Sequence, residues 1–138
     1  MFRLKKACLE SIFIHMKAQF PNEGCGIIAS QGMNPFELLK FYPVSNAHKQ
    51  PRHHFSFDAN DWIAVNDELR KNHYTLACYV HSHVEGDDTL SAEDLQAITD
   101  YKALQAIVYN IEKDSPSISF YRYNTTTKVY ERYPLMFT

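Results

Sequence analysis

The segment Tyr74-Thr-Leu-Ala-Cys-Tyr-Val-His-Ser-His83 constrains the fold of this chain more than any other. It is rich in apolar and aromatic residues and contains no turn former, so it reads as a central strand. Its closing histidines, His81 and His83, are two apart, and a strand places alternate side chains on one face. A short polar loop containing Gly86 follows, and Ser91-Ala-Glu-Asp94 then opens a helix. The fold must therefore set the C-terminal end of a strand, with two imidazoles on one face, beside the first turn of a helix that carries a carboxylate. Two nitrogens and one carboxylate converging in this way make a three-ligand zinc site with one position open. An open position is what a hydrolytic metal site needs for its attacking water.

Each of these residues also has a plainer reading. Alternate histidines on a strand are often surface residues. Ser-x-x-Asp ahead of a helix is a capping box, which any helix start can use. The two readings of Ser91 and Asp94 are compatible, because a capping box fixes the helix N-terminus while Asp94 in the first turn still faces the strand end. Glu23, in Pro21-Asn-Glu-Gly-Cys-Gly26, reads alone as an exposed turn carboxylate. A hydrolytic zinc site, however, needs a base beside the metal that is not a ligand. Glu23 is the best-placed upstream candidate, since Gly24 and Gly26 let the backbone pass close to another segment.

The remaining pattern predicts a mixed sheet with three helices, an α/β or α+β sandwich. Cys8, Ile12 and Met16 form an i, i+4 row that predicts a helix over 4–19, ended by Pro21-Asn22. Strands are expected at 25–29, 37–44 and, shorter, 54–57. Asp58 or Asn60 caps a helix running to about Asn72. The strand at 74–83 is followed by a helix from Ser91 to about Tyr101, a buried strand at 104–111, and a hairpin of 117–123 with 128–133 around Asn124-Thr-Thr-Thr127. Residues 1–138 read as one domain, without repeats or Pro/Gly-rich linkers.

Bulk properties narrow the function classes. A net charge of -2 with dispersed lysines and arginines gives no basic footprint for nucleic acid. No apolar run approaches the roughly 20 residues of a membrane helix, and the N-terminus lacks a signal-peptide core. A soluble, intracellular protein is expected. Cys8, Cys25 and Cys78 are too few and scattered for a disulfide framework, and no Cys-x-x-Cys pair is present. Cys25 and Cys78 read as packed thiols. His53-His54 is a possible second metal pair, but adjacent strand residues face opposite ways and solvent exposure is the simpler expectation. Tyr121, Tyr123, Tyr130 and Tyr133 give the terminal hairpin an aromatic surface that serves as core and edge cover or docks a partner protein.

An upstream Glu, His-Ser-His, seven residues and Ser-x-x-Asp together resemble the JAMM (MPN+) zinc metallopeptidases. The spacing fits without a gap, and Pro21-x-Glu23-x-Cys25-Gly26 is similar to the family's segment around its catalytic Glu. The likeness runs from about residue 8 to residue 110. It implies a JAMM/MPN-like mixed sheet flanked by helices. It implies Zn2+ held by His81, His83 and Asp94, with Glu23 as general base and Ser91 as hydrogen-bond donor to the oxyanion. It implies a protein or peptide substrate.

Within that family, Phe41-Tyr-Pro-Val-Ser-Asn46, Phe57-Asp-Ala-Asn-Asp-Trp62, Leu76-Ala-Cys-Tyr-Val-His-Ser-His83 and Leu90-Ser-Ala-Glu-Asp94 resemble the N-terminal domain of the tail protein K group of long-tailed phages. This implies tail-tip proteins as partners, in the host cytoplasm or on the virion tail. Those proteins often carry a second, NlpC/P60-type cysteine peptidase domain, which is not expected in these 138 residues. A cellular peptidase that trims ubiquitin-like or sulfur-carrier proteins, and a docking module without catalysis, are the other classes the pattern allows. The family usually has Pro after His-x-His and before the Ser, where this chain has Val84 and Leu90. The intervening Glu85, Asp87 and Asp88 are expected either to repel acidic substrates or to be solvated. The short connections at 84–90 and 44–57 leave no room for long substrate-gripping insertions, so little cleavage of free ubiquitin chains is expected.

Overall fold

The period-two alternation of the central strands decides the layering. The computed structural model describes residues 2–138. In chain order it contains β1 (Arg3–Leu4), α1 (Lys6–Gln19), β2 (Cys25–Gln31), β3 (Asn34–Val44), α2 (Ala59–Lys71), β4 (Tyr74–Ser82), α3 (Ala92–Ala97), β5 (Leu104–Tyr109), β6 (Ser117–Asn124), β7 (Val129–Arg132) and β8 (Met136–Phe137). Ile28 on β2 packs with Cys8, Ile12 and Met16 of α1. Its neighbours Ile27 and Ala29 pack with Val65 and Leu69 of α2. Alternate side chains of one strand thus feed two cores, and a helix closes each face.

The strands form one sheet in the order β7-β6-β5-β4-β2-β3-β1-β8. β4 pairs parallel with β5, and β1 pairs parallel with both β3 and β8; the other pairings are antiparallel. The expected mixed sheet is therefore observed. β4 lies inside it, between β2 and β5, as its composition required. Cys78 and Val80 point to the α1 core, so Tyr79 and His81 fall on the α2 face. Among the described residues no helix is long and apolar enough to cross a membrane.

Three local expectations need correction. Residues 54–57 do not form a strand; only Phe57 bridges, to Asn46, and Phe55 and Phe57 lie against His81 and Tyr79 of β4. The helix from Ser91 stops at Ala97 instead of near Tyr101. Ile98 and Thr99 are β-branched and Ile98 adopts an extended backbone, which turns the chain towards β5. The helix at the N-terminus begins at Lys6, because Arg3 and Leu4 pair with β3 and β8. Two-residue strands such as β1 and β8 have no period to detect, and the tight connection of β2 to β3 at Gly32-Met33 was likewise not anticipated.

The glycines of the Glu23 segment act as expected. A Cβ on Gly26 would lie 2.5 Å from the Tyr42 carbonyl oxygen and 2.6 Å from the Phe41 ring, so β2 and β3 approach this closely only with glycine here. All three cysteines are buried and free.

Candidate metal centre

The site begins with the register of β2 on β4. Cys25 sits opposite His81, which brings the chain just before β2 alongside the two histidines. Ser82, between them, fixes that approach twice. Its Oγ accepts the Gly24 N–H (2.7 Å), and its own N–H donates to the Gly24 carbonyl (2.9 Å). Glu23 is thereby held at the strand end, and its N–H donates to the Pro51 carbonyl (2.7 Å). Asn46 completes the frame. Its Nδ2 donates to the carbonyls of Glu23 and His54, both at 2.9 Å, and its Oδ1 accepts from the N–H groups of His48 and Ser56.

On the other side, Ser91 and Asp94 form a reciprocal capping box. The Asp94 N–H donates to Ser91 Oγ (3.0 Å), and the Ser91 N–H donates to Asp94 Oδ2 (2.9 Å). The same Oδ2 lies 3.3 Å from His81 Nε2 and 3.2 Å from His83 Nε2, and the two Nε2 atoms are 3.1 Å apart. The capping box thus leaves Asp94 Oδ2 facing both imidazoles.

The donor set fits a metal. Three corners of a tetrahedron whose centre is about 2.0–2.1 Å away are roughly 3.3 Å apart, close to the three observed separations. The protonation pattern agrees. His83 Nδ1 meets the Asp87 carbonyl at 2.8 Å; a carbonyl only accepts, so Nδ1 carries a proton, and in the neutral ring the Nε2 lone pair would face inward. His81 is buried, which lowers its pKa despite the Asp94 carboxylate, and it stays neutral. For His83 burial also acts downwards, but the Asp94 carboxylate and the Asp87 carbonyl outweigh it and raise the pKa. Burial would raise the Asp94 pKa, and the two imidazoles instead hold it far below the usual carboxylate range. An ionised carboxylate oxygen and two imidazole nitrogens thus face one point, which a divalent cation would neutralise. Among the described residues no other group of three His, Cys, Asp or Glu side chains converges in this way.

Glu23 lies beside this cluster and is 6% exposed, not a solvated turn residue. Burial, with the nearby charges of Asp94 and Glu93 added and that of His83 opposing, pushes its pKa up to about 7. Among the described residues its carboxylate accepts no hydrogen bond. This carries a pH dependence for the metal-free protein. A folded-state pKa above the unfolded value of 4.5 means that stabilisation is complete below about pH 4.5 and is lost as the pH rises to about 7. Chelator-treated Glu23→Gln should lack this slope and be more stable than the wild type above pH 7, by at most ~3 kcal/mol. Urea denaturation of both proteins at pH 5 and pH 8 measures it; equal differences at the two pH values would remove the buried-carboxyl account.

A family description for prokaryotic homologs of the JAB domain matches residues 5–123. The chain belongs to this family. Its fold is shared by solved structures of low sequence identity. The solution structure of protein DSY2949 from Desulfitobacterium hafniense superposes with a TM-score of 0.83 at 23% identity, covering 100% of this chain and 93% of that one. AF2198, a JAB1/MPN domain protein from Archaeoglobus fulgidus, gives 0.64 at 16% identity, over 100% and 97%. A structure reported as "JAMM: A Metalloprotease-like Zinc Site in the Proteasome and Signalosome" gives 0.60 at 16%, over 100% and 98%. No curated protein sequence matches the chain.

The structure brings His81, His83, Asp94, Ser91 and Glu23 of this JAB domain to one place and separates the other candidates. His53 is exposed, while His54 Nδ1 pairs with Glu93 Oε2 at 2.7 Å, so the two do not form a second metal pair. The loop acids divide. Glu85 and Asp87 are exposed, whereas Asp88 is buried and accepts from Ser119 Oγ (2.6 Å) and pairs with Arg132. Neither repulsion nor solvation describes Asp88. It anchors the loop that presents the Asp87 carbonyl to His83, and Gly86, at φ +90°, lets that loop turn. Sequence reasoning missed Ser82, Asn46 and Phe55, the last of which stacks on His81 with ring centroids 4.5 Å apart. The signal for Ser82 was its place between the histidines. Asn46 and Phe55 act across long loops and leave no local pattern.

Proposed function

We propose that this JAB-domain chain is a zinc-dependent hydrolase of peptide or isopeptide bonds. The reading is carried by His81 Nε2, His83 Nε2 and Asp94 Oδ2 standing 3.1–3.3 Å apart beside the buried Glu23. Zinc held by these three side chains would supply a Lewis acid and lower the pKa of a water towards ~7. Glu23, a carboxylate buried beside the three donors, accepts the proton of the attacking water and returns it to the leaving amine. Ser91 Oγ accepts the Asp94 N–H, so its own proton is free to donate to the developing oxyanion. Phe55 covers the His81 ring and limits water on that side.

The resemblance of residues 41–46, 57–62 and 90–94 to tail protein K supports a tail-tip partner as the substrate, presented by assembly rather than by a deep groove. Tail genes beside this one would strengthen that reading. A neighbouring ubiquitin-like or adenylating-enzyme gene would favour trimming of a sulfur-carrier protein instead.

The test is turnover of a mixed peptide library, of di-ubiquitin and of neighbouring gene products. Hydrolysis should appear with one equivalent of zinc, vanish on chelation and return on re-addition, with di-ubiquitin a poor substrate. Cleavage that survives chelation would end the proposal. In Ser91→Ala two effects should separate. Loss of the cap should cost ~1 kcal/mol of stability, and loss of the oxyanion donor should cost ~10²-fold in turnover. Intact turnover in a destabilised Ser91→Ala protein would leave Ser91 as a cap alone.

A further inference from the structure

A cavity of about 320 Å³ opens directly off the metal centre, with His81 and Asp94 in its wall. This lies at the small end of the roughly 300–1,000 Å³ of ligand pockets, a size suited to one side chain. Phe55, Phe57, Trp62 and Tyr79 line it as a continuous aromatic wall, with successive ring centroids 5.1–6.2 Å apart. Asp100, half-buried, also lines it, its Oδ1 held by the Lys102 N–H at 3.1 Å. No lysine or arginine lines the cavity. The groove on the opposite side of α3, lined by Tyr101, Tyr121 and Tyr123, carries Lys128 and Arg132 instead.

We propose that this cavity is a specificity pocket for a basic side chain, lysine or arginine, of the substrate polypeptide. Aromatic faces attract a cation through their ring quadrupoles and accept the methylene stem of such a side chain. The Asp100 carboxylate would then meet the charged head. An apolar side chain would use the rings but desolvate Asp100 without return, and an acidic one would be repelled by Asp100. The pocket rests on the hydrolase reading only in that the occupant belongs to the chain being cleaved.

Trp62 is the only tryptophan and lines the cavity, so binding is read without catalysis. Zinc-loaded Glu23→Gln protein is titrated with the blocked pentapeptides Ala-Ala-X-Ala-Ala, where X is Lys, Arg, norleucine or Glu, and Trp62 fluorescence is followed. The Lys and Arg peptides should bind at least ~10-fold more tightly than the norleucine peptide, and Asp100→Asn should erase that difference while leaving the zinc content unchanged. Norleucine binding as well as Lys, no binding by any peptide, or a preference unchanged in Asp100→Asn would each overturn the pocket assignment. Basic peptides that bind in this way but are never cleaved by the zinc-loaded wild type would leave the pocket standing and remove the hydrolase reading.

Discussion

Glu23→Gln should retain zinc and lose hydrolysis, with turnover falling by at least ~10²-fold. Glutamine keeps the shape of the side chain and cannot take up a proton at neutral pH. The backbone that places it would be untouched, because Glu23 is positioned through its main chain, by Pro51 and Asn46, and through Gly24 on Ser82. Its carboxylate has no hydrogen-bond partner to lose among the described residues. A structural residue replaced under these conditions would leave the rate alone, whereas a proton carrier is missed at every turnover. Zinc content and turnover measured on one preparation separate the possibilities. Metal loss would make Glu23 a ligand, and wild-type turnover would take it out of the chemistry.

The second large effect falls on Asp94, where one oxygen has three neighbours. Oδ2 accepts the Ser91 N–H and faces both imidazole Nε2 atoms. Asp94→Ala should weaken zinc affinity by ~10²-fold or more, beyond the 10–100-fold typical of losing an outer partner. It should also cost ~1 kcal/mol in the metal-free protein through the broken cap. Asp94→Asn separates the two effects: the amide oxygen still accepts from Ser91, but the anionic donor is gone. Weak zinc binding with a smaller loss of metal-free stability than in the alanine variant is the result expected for Asn, by competition with a chromophoric chelator and by thermal unfolding. Wild-type affinity in both variants would reduce Asp94 to a capping residue.

These residues were legible in the sequence because local geometry fixes them. Two histidines at period two on a strand must share a face, and a capping box must sit at a helix start, so the candidate ligand set follows from short-range rules. The same rules gave β4 its central place and α1 its buried row of Cys8, Ile12 and Met16. What was not legible depends on tertiary contact. Phe55 and Phe57 alternate like strand residues, yet they cover His81 and Trp62 rather than pairing in the sheet. Asp88 resembled its exposed neighbours until β6 and β7 brought Ser119 and Arg132 to it. Asn46 gathers five backbone groups from a loop with no periodic signal, and in doing so places the Glu23 main chain.

The most direct test is the zinc content of the purified, extensively dialysed protein, determined by elemental analysis on the wild type and on His81→Ala and Asp94→Ala. The site described here predicts one zinc per chain in the wild type and a small fraction of that in either variant. In the zinc-loaded wild type, X-ray absorption should show nitrogen and oxygen neighbours at about 2.0–2.2 Å and no sulfur. A wild type that holds no zinc after reconstitution, or variants that hold as much as the wild type, would contradict it.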